Sequence, residues 1–140
     1  MRHLDRFEPL ALLVMRLTLG TIMSVHGHHK VFARLGHFAH MAGGMGLAAW
    51  VGYVSAFTEL VGGLLLLIGL FTRLAAFAIC INLCVAIWRV HWHNGLLGWP
   101  DRPVFEFPLA AATLAFGLIF LGAGPISIDH VLRGGSRSSR

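Results

Sequence analysis

Four long apolar runs alternate with short polar breaks along the chain. The first extends from about Pro9 to Phe32, the second from about Leu47 to Phe71, the third from about Leu74 to Trp92 and the fourth from about Val104 to Leu121. Each is close to the ~20 residues with which an α-helix crosses ~30 Å of hydrocarbon. The first two are long enough to tilt or to project past the bilayer. Pro9 suits a first helical turn, where a missing N–H costs no intrahelical bond. Thr72-Arg73 reads as a tight turn between the second and third runs, and His93 to Arg102 as a loop carrying the turn signals Asn94-Gly95 and Trp99-Pro100. Between the first two runs, residues 33–46 carry Arg34, His37 and His40 at steps of three, with Phe38 and Met41 among them. That pattern predicts an interfacial or re-entrant helix ending at Gly43-Gly44. The expected architecture is all-α: a four-transmembrane-helix bundle over residues 9–130, with a cytoplasmic N-terminus (1–8) and a basic, disordered tail (131–140). No internal repeat is evident.

Composition supports lipid as the solvent. The 140 residues are 56% hydrophobic and only 12% charged, about half the charged share of a soluble domain. Arg16 interrupts the first run and no small-x-small site follows it, so this run reads as a retained span rather than a cleaved leader. The net charge of +5 lies mostly at the ends of the runs, which is a signal of orientation rather than of nucleic-acid binding. Arg2, Arg6, Arg73, Arg133, Arg137 and Arg140 fall on one side; Lys30, Arg34, Arg89 and Arg102 fall on the other. The bias places both termini in the cytoplasm, and Trp50, Trp88, Trp92 and Trp99 form an aromatic belt at the outer boundary.

Ionisable residues at membrane depth are costly and are therefore candidates for function. With a rise of about 1.5 Å per residue, Arg16 lies ~10 Å and Glu59 ~14 Å above the inner edge, close enough to pair. His26 and His91 lie ~25 Å above it, and Glu106 starts the fourth run at about the same level. His26, His91 and Glu106 thus converge on an outer layer from three helices. On the third run, Cys80, Cys84 and His91 share one helical face, while Asn82, Arg89 and His93 share the opposite one. Two cysteines one turn apart make a poor disulfide and read as packing residues. His26, His28, His29, His37 and His40, with Met23, Met41 and Met45 nearby, are a candidate metal set, and a His/Met mixture suits copper.

Four motifs resemble the DoxX family, in order. Arg16-Leu17-x-Leu19-Gly20 followed by His26-Gly27-x-x-Lys30 resembles its first-helix signature. Glu59-Leu-Val-Gly-Gly through Arg73 resembles the second. His91-x-x-Asn94-Gly95 with Glu106-Phe107-Pro108-Leu109 resembles the third-to-fourth helix region, and Gly122-Ala-Gly-Pro-Ile-Ser127-Ile-Asp129 resembles the closing motif. The resemblance covers roughly residues 10 to 130. It implies a four-helix protein of the bacterial inner membrane, an oxidoreductase role, and similarity to a membrane subunit of thiosulfate:quinone oxidoreductase.

The leading expectation is a redox-associated membrane protein with a quinone-like ligand pocket in the outer half of the bundle. His26, Glu59, His91 and Glu106 are the candidate catalytic residues, with a histidine bonding the ligand carbonyl and a glutamate exchanging protons. Arg16, His26, Glu59, His91 and Asn94 are the candidate cofactor-binding residues. Electrons would enter from a partner membrane or periplasmic redox protein, because the chain has neither a CxxC pair nor a cofactor motif. Two alternatives stay open. One is a non-catalytic accessory subunit of a larger membrane complex, with Ala111-x-x-x-Ala115 as a packing face toward a neighbour. The other is periplasmic-side copper handling by the histidine-rich face.

Overall fold

A computed structural model describes residues 5–97 and 104–135. After a single 3-10 turn, Asp5–Phe7, six α-helices follow among these residues: α1 (Glu8–Ala33), α2 (Leu35–Gly44), α3 (Ala49–Ile68), α4 (Thr72–Ala86), α5 (Glu106–Leu121) and α6 (Ile128–Gly135). Beyond Ala86, α4 continues through a π-helical turn, Ile87–His91, and a 3-10 turn, Trp92–Asn94. No strand occurs among the described residues. Among the described residues, three helices are long and apolar enough to cross a membrane: α1, α3 and the continuous segment Thr72–Asn94. The fourth, α5, is equally apolar but has 16 residues, about 24 Å of rise. Val14, Phe57, Val61, Leu64, Phe77 and Phe116 are exposed around these helices. In water so large an apolar surface would be costly, whereas in a bilayer it is the face that lipid covers.

Small residues determine how closely the helices approach. α1 packs on α3 backbone to backbone: a Cβ on Gly27 would lie 2.1 Å from the Leu60 nitrogen, and one on Gly63 would lie 2.5 Å from the Ser24 nitrogen. α4 packs on α5 through an alanine-rich interface in which Ala75, Ala76, Ala111, Ala112 and Ala115 are buried around Ile79, Leu83 and Leu118. The Ala111-x-x-x-Ala115 face is therefore used inside this chain rather than offered to a neighbour. In a membrane such close packing replaces the hydrophobic drive that water would supply.

The helix limits differ from expectation at two places. The turn between α3 and α4 is Gly69–Phe71, and Thr72-Arg73 already belong to α4. Gly69 ends α3 in the left-handed conformation (φ 69), where a glycine carries no steric cost, and Phe71 (φ 49) repeats that conformation before α4 begins. The tail is helical as far as Gly135 instead of disordered from 131, because the Ser127 hydroxyl accepts the His130 N–H at 3.2 Å and Asp129 is tied to the α3–α4 turn. Residues 136–140 lie outside the described residues, as do Trp99 and Arg102. α2 spans the expected segment and is clamped on α3, where a Cβ on Gly52 would meet the Phe38 carbonyl oxygen at 2.4 Å.

Candidate functional site

Five helices surround a cavity of about 470 Å³ at the end of the bundle that carries α2. Helical spacing places its polar residues. On α1, Met23, His26 and Lys30 are separated by three and four residues and share one face. On α3, Gly52, Ser55 and Glu59 do the same. Phe38 and Met41 of α2, with Met45 just beyond its end, form one wall, and Phe107 and Pro108 of α5 form another. A volume of this size with mostly apolar walls and a few convergent polar groups is the ordinary form of a small-ligand site.

The segment after α4 explains an unexpected combination. Regular α-helical rotation puts His91 opposite Asn82 and Arg89, yet all three line the cavity. The π-helical turn Ile87–His91 adds a residue to the turn and rotates His91 back toward the others. Arg89 donates from Nη2 to the Met45 carbonyl at the end of α2, and its guanidinium lies 5.3 Å from the Trp88 ring.

Glu59 is the chemical centre of the cavity. Its side chain is only 5% exposed, and Oε1 accepts from Lys30 Nζ at 2.6 Å and from Asn82 Nδ2 at 3.0 Å. Lys30 also lies 5.0 Å from the Phe38 ring, an additional stabilisation of its charge. Oε2 is buried and has no hydrogen-bond partner among the described residues. At the mouth, His26 Nδ1 lies 2.9 Å from the Ile22 carbonyl and its ring stacks on Phe107 at 5.4 Å. A carbonyl only accepts, so Nδ1 carries the proton, and a neutral His26 leaves Nε2 as an acceptor.

The expected site residues divide. His26, Glu59 and His91 line one cavity. Glu106 is exposed in the first turn of α5, outside the cavity wall, where an acid complements the helix dipole. Asn94 is not among the cavity residues. Arg16 does not pair with Glu59. Its Nη1 and Nη2 donate to the carbonyls of Ala123 and Ile126 at 2.6 and 2.8 Å, at the α6 end of the bundle. The expected depths were off: α1 and α3 are offset so that Arg16 lies level with Gly69 and Glu59 level with Gly27, which separates the two along the bundle axis. Of the proposed metal set, only His26 reaches the cavity; His28, His29, His37 and His40 are exposed, with His28 on Phe32 and His37 edge-on to Phe38. Among the described residues, no three His, Cys, Asp or Glu side chains come together to hold a metal. Both cysteines are free thiols, and Cys80 contacts the Ala112 carbonyl.

Lys30, Asn82 and Arg89 are cavity residues that were not singled out for the site from sequence. Lys30 follows His26 by four residues, and Asn82 and Arg89 are seven apart on one face, so the spacing held the signal. What sequence could not supply was which face of α4 looks inward.

The site and fold define a small multi-pass helical membrane protein with a buried glutamate, bonded by half-buried Lys30 and Asn82, at the wall of an apolar cavity. The DoxX family model matches residues 11–92, and the chain belongs to the DoxX family. A protein of Haemophilus influenzae described as uncharacterized is 31% identical over 135 residues, covering 93% of this chain and 96% of the relative. No solved structure matches the chain.

Proposed function

We propose that the protein binds a membrane-dissolved quinone-type ligand in the α2-end cavity and exchanges protons with it. The observation that carries this reading is the Glu59 carboxylate at the cavity wall, held by Lys30 and Asn82 on one oxygen, with the other oxygen buried and without a partner among the described residues. A purely structural ion pair gains nothing from a cavity beside it, and a buried polar atom without a partner is costly. Methionine and aromatic walls suit an apolar ring and tail, and His26, His91 and Glu59 bring titratable groups to the polar head. Reduction of a quinone consumes two electrons and two protons. The residues of this chain handle the protons, and a partner redox protein supplies the electrons. The segregation of Arg73 and Arg133 from Lys30 and Arg89 supports termini on the cytoplasmic side of the inner membrane, with the cavity at the outer end.

The test is binding of decyl-benzoquinone and its hydroquinone to the purified protein in lipid nanodiscs, read by thermal stabilisation and by isothermal titration. Saturable binding that Phe38→Trp, which fills the cavity, weakens at least about tenfold supports the reading. Absence of saturable binding by either form contradicts it.

A further inference from the structure

Helix α6 is amphipathic, and its two sides are turned the opposite way from those of a helix packed on a core. At about 100° per residue, Ile128, Val131 and Leu132 fall on one side and Asp129, His130 and Arg133 on the other. A surface helix ordinarily turns its apolar side inward. Here the polar side meets the protein. The Asp129 carboxylate accepts the N–H groups of Phe71 and Thr72. Asp129, His130 and Arg133 border a second cavity, of about 310 Å³, with the start of α1 and the end of α5. The apolar side faces out: Ile128, Val131 and Leu132 are 41, 71 and 60% exposed. Phe71, on the turn to which Asp129 is tied, and Ile126, just before α6, are exposed as well.

Charge indicates what this side meets. Arg73 and Arg133 are exposed and border the second cavity, and Arg6 is exposed at the same end of the bundle. Arg73 donates from Nη2 to the Phe120 carbonyl at 3.0 Å, which occupies one N–H of its guanidinium. Against these stand Glu8, which is exposed, and Asp129, whose carboxylate the α3–α4 turn already engages. In the sequence, Arg2, Arg137 and Arg140 extend the basic character of this end, against Asp5.

We propose that α6 is an interfacial anchor selective for anionic phospholipid. Its apolar side lies among the acyl chains of the nearer leaflet, and a headgroup phosphate is held by Arg73 and Arg133. Large aliphatic side chains on a helix beside the ends of membrane spans are covered at the headgroup–acyl boundary, where an amphipathic helix lies flat. Guanidinium groups match phosphate in geometry and make charge-assisted bonds to it. A zwitterionic headgroup brings its own cation to compete for that phosphate, whereas an anionic one does not, and each basic residue near an anionic surface adds attraction. This surface is separate from the α2-end cavity and stands whether or not that cavity takes a quinone.

The experiment uses the full chain in lipid nanodiscs and has two readouts. Depth is read from a nitroxide on Val131→Cys, and on His130→Cys from the opposite side, each in a Cys80→Ala/Cys84→Ala background. The Val131 label is expected to be open to oxygen and shielded from a water-soluble nickel chelate, with a smaller oxygen-to-nickel ratio at His130. Lipid preference is read from the association of spin-labelled phosphatidylglycerol and phosphatidylcholine with the wild-type protein and with Arg73→Gln/Arg133→Gln. The wild type should favour phosphatidylglycerol at least about threefold, and the double variant should bring the two lipids close to equality. Should the double variant fail to fold, the wild-type ranking still decides. A Val131 label open to the nickel chelate overturns the anchor. So does a label shielded from both reagents with Val131→Cys cross-linking between copies, which assigns this side to a second copy of the chain. Equal association of the two lipids with the wild type, or a preference that survives in the double variant, overturns the anionic selectivity at the arginines.

Discussion

The two ends of this bundle each bury a charged side chain, and they set it in different surroundings. At the α6 end, Arg16 directs both terminal nitrogens to the carbonyls of Ala123 and Ile126, and its Nε has no partner among the described residues. Around it, Asp129 accepts the N–H groups of Phe71 and Thr72 at 2.8 and 2.9 Å, while its own N–H donates to the Gly69 carbonyl at 2.9 Å. These bonds pin the closing segment to the α3–α4 turn and cap the start of α4, whose own sequence supplies no side-chain cap. At the α2 end, Glu59 is held by two donors on one oxygen, with the other oxygen buried and without a partner among the described residues, beside a cavity. The Arg16 end ties the closing segment to the bundle, and the Glu59 end borders a cavity. A buried charge is thus not in itself a sign of function; each of the two makes two hydrogen bonds, and what separates them is that Glu59 lines the cavity and Arg16 is enclosed by the closing segment.

That contrast can be broken most forcefully at Arg16. Arg16→Met strands two carbonyls and should cost about 3 kcal/mol of stability, measured by thermal or denaturant unfolding in detergent, with little specific effect on ligand affinity per folded molecule. An equal loss of affinity with no loss of stability would erase the distinction between the two ends. Next in size is the glycine contact. Gly27→Ala pushes α1 off Leu60 and should destabilise by ~2 kcal/mol, with a visible loss of fold in detergent. Glu59→Gln should be the reverse of Arg16→Met: a change of about 1 kcal/mol or less in stability, because the amide oxygen can keep accepting from both Lys30 and Asn82, but a clear change in ligand binding.

Asp129→Asn comes lower and carries a pH signature. Burial acts to raise the Asp129 carboxyl, but the N–H groups of Thr72 and Phe71 and the nearby Arg133 outweigh it and hold it below the ordinary carboxylate range. A depressed folded value means that stability is present above the unfolded value and is lost as pH falls through the folded one. The wild-type protein should therefore lose stability below about pH 4 in a way that Asp129→Asn does not share. Unfolding curves across that range in nanodiscs provide the check. The smallest effect belongs to the exposed histidines. Replacing His28, His29, His37 and His40 together by alanine should leave unfolding and ligand binding within experimental error; a large loss of either would give the histidine-rich face a role that its exposure argues against.

Much of the fold was legible because lipid imposes a strong signal. Runs of apolar residues of spanning length admit little but helices, and α1 lies within a residue of its expected limits at both ends. Less legible was how the helices are set against one another along their axes. Arg16 lies level with Gly69 and Glu59 level with Gly27, at opposite ends of the bundle, because close glycine contacts fix the offset of α1 on α3. His91 could be assigned to the wrong side of α4 because regular rotation was assumed, and a π-helical turn has no reliable sequence mark. Asp129 was recognisable as part of a motif, but its task as a cap acts across 57 residues of separation, which no local pattern reveals. Lys30 was legible only once Glu59 could be seen beside it.

The central claim is that the α2-end cavity, and not the lipid-facing surface or the α6 end, is where a membrane-dissolved ligand meets this protein. Photolabelling with an azido-quinone in native-like lipid, followed by peptide mapping, measures this directly. The account predicts label concentrated on the stretches around His26–Lys30, Phe38–Met45 and Arg89–His91, displaced by excess unlabelled ligand. Label spread evenly over exposed apolar positions such as Val61, Phe77 and Phe116, or gathered around Gly122–Asp129, and unaffected by competitor, would contradict it.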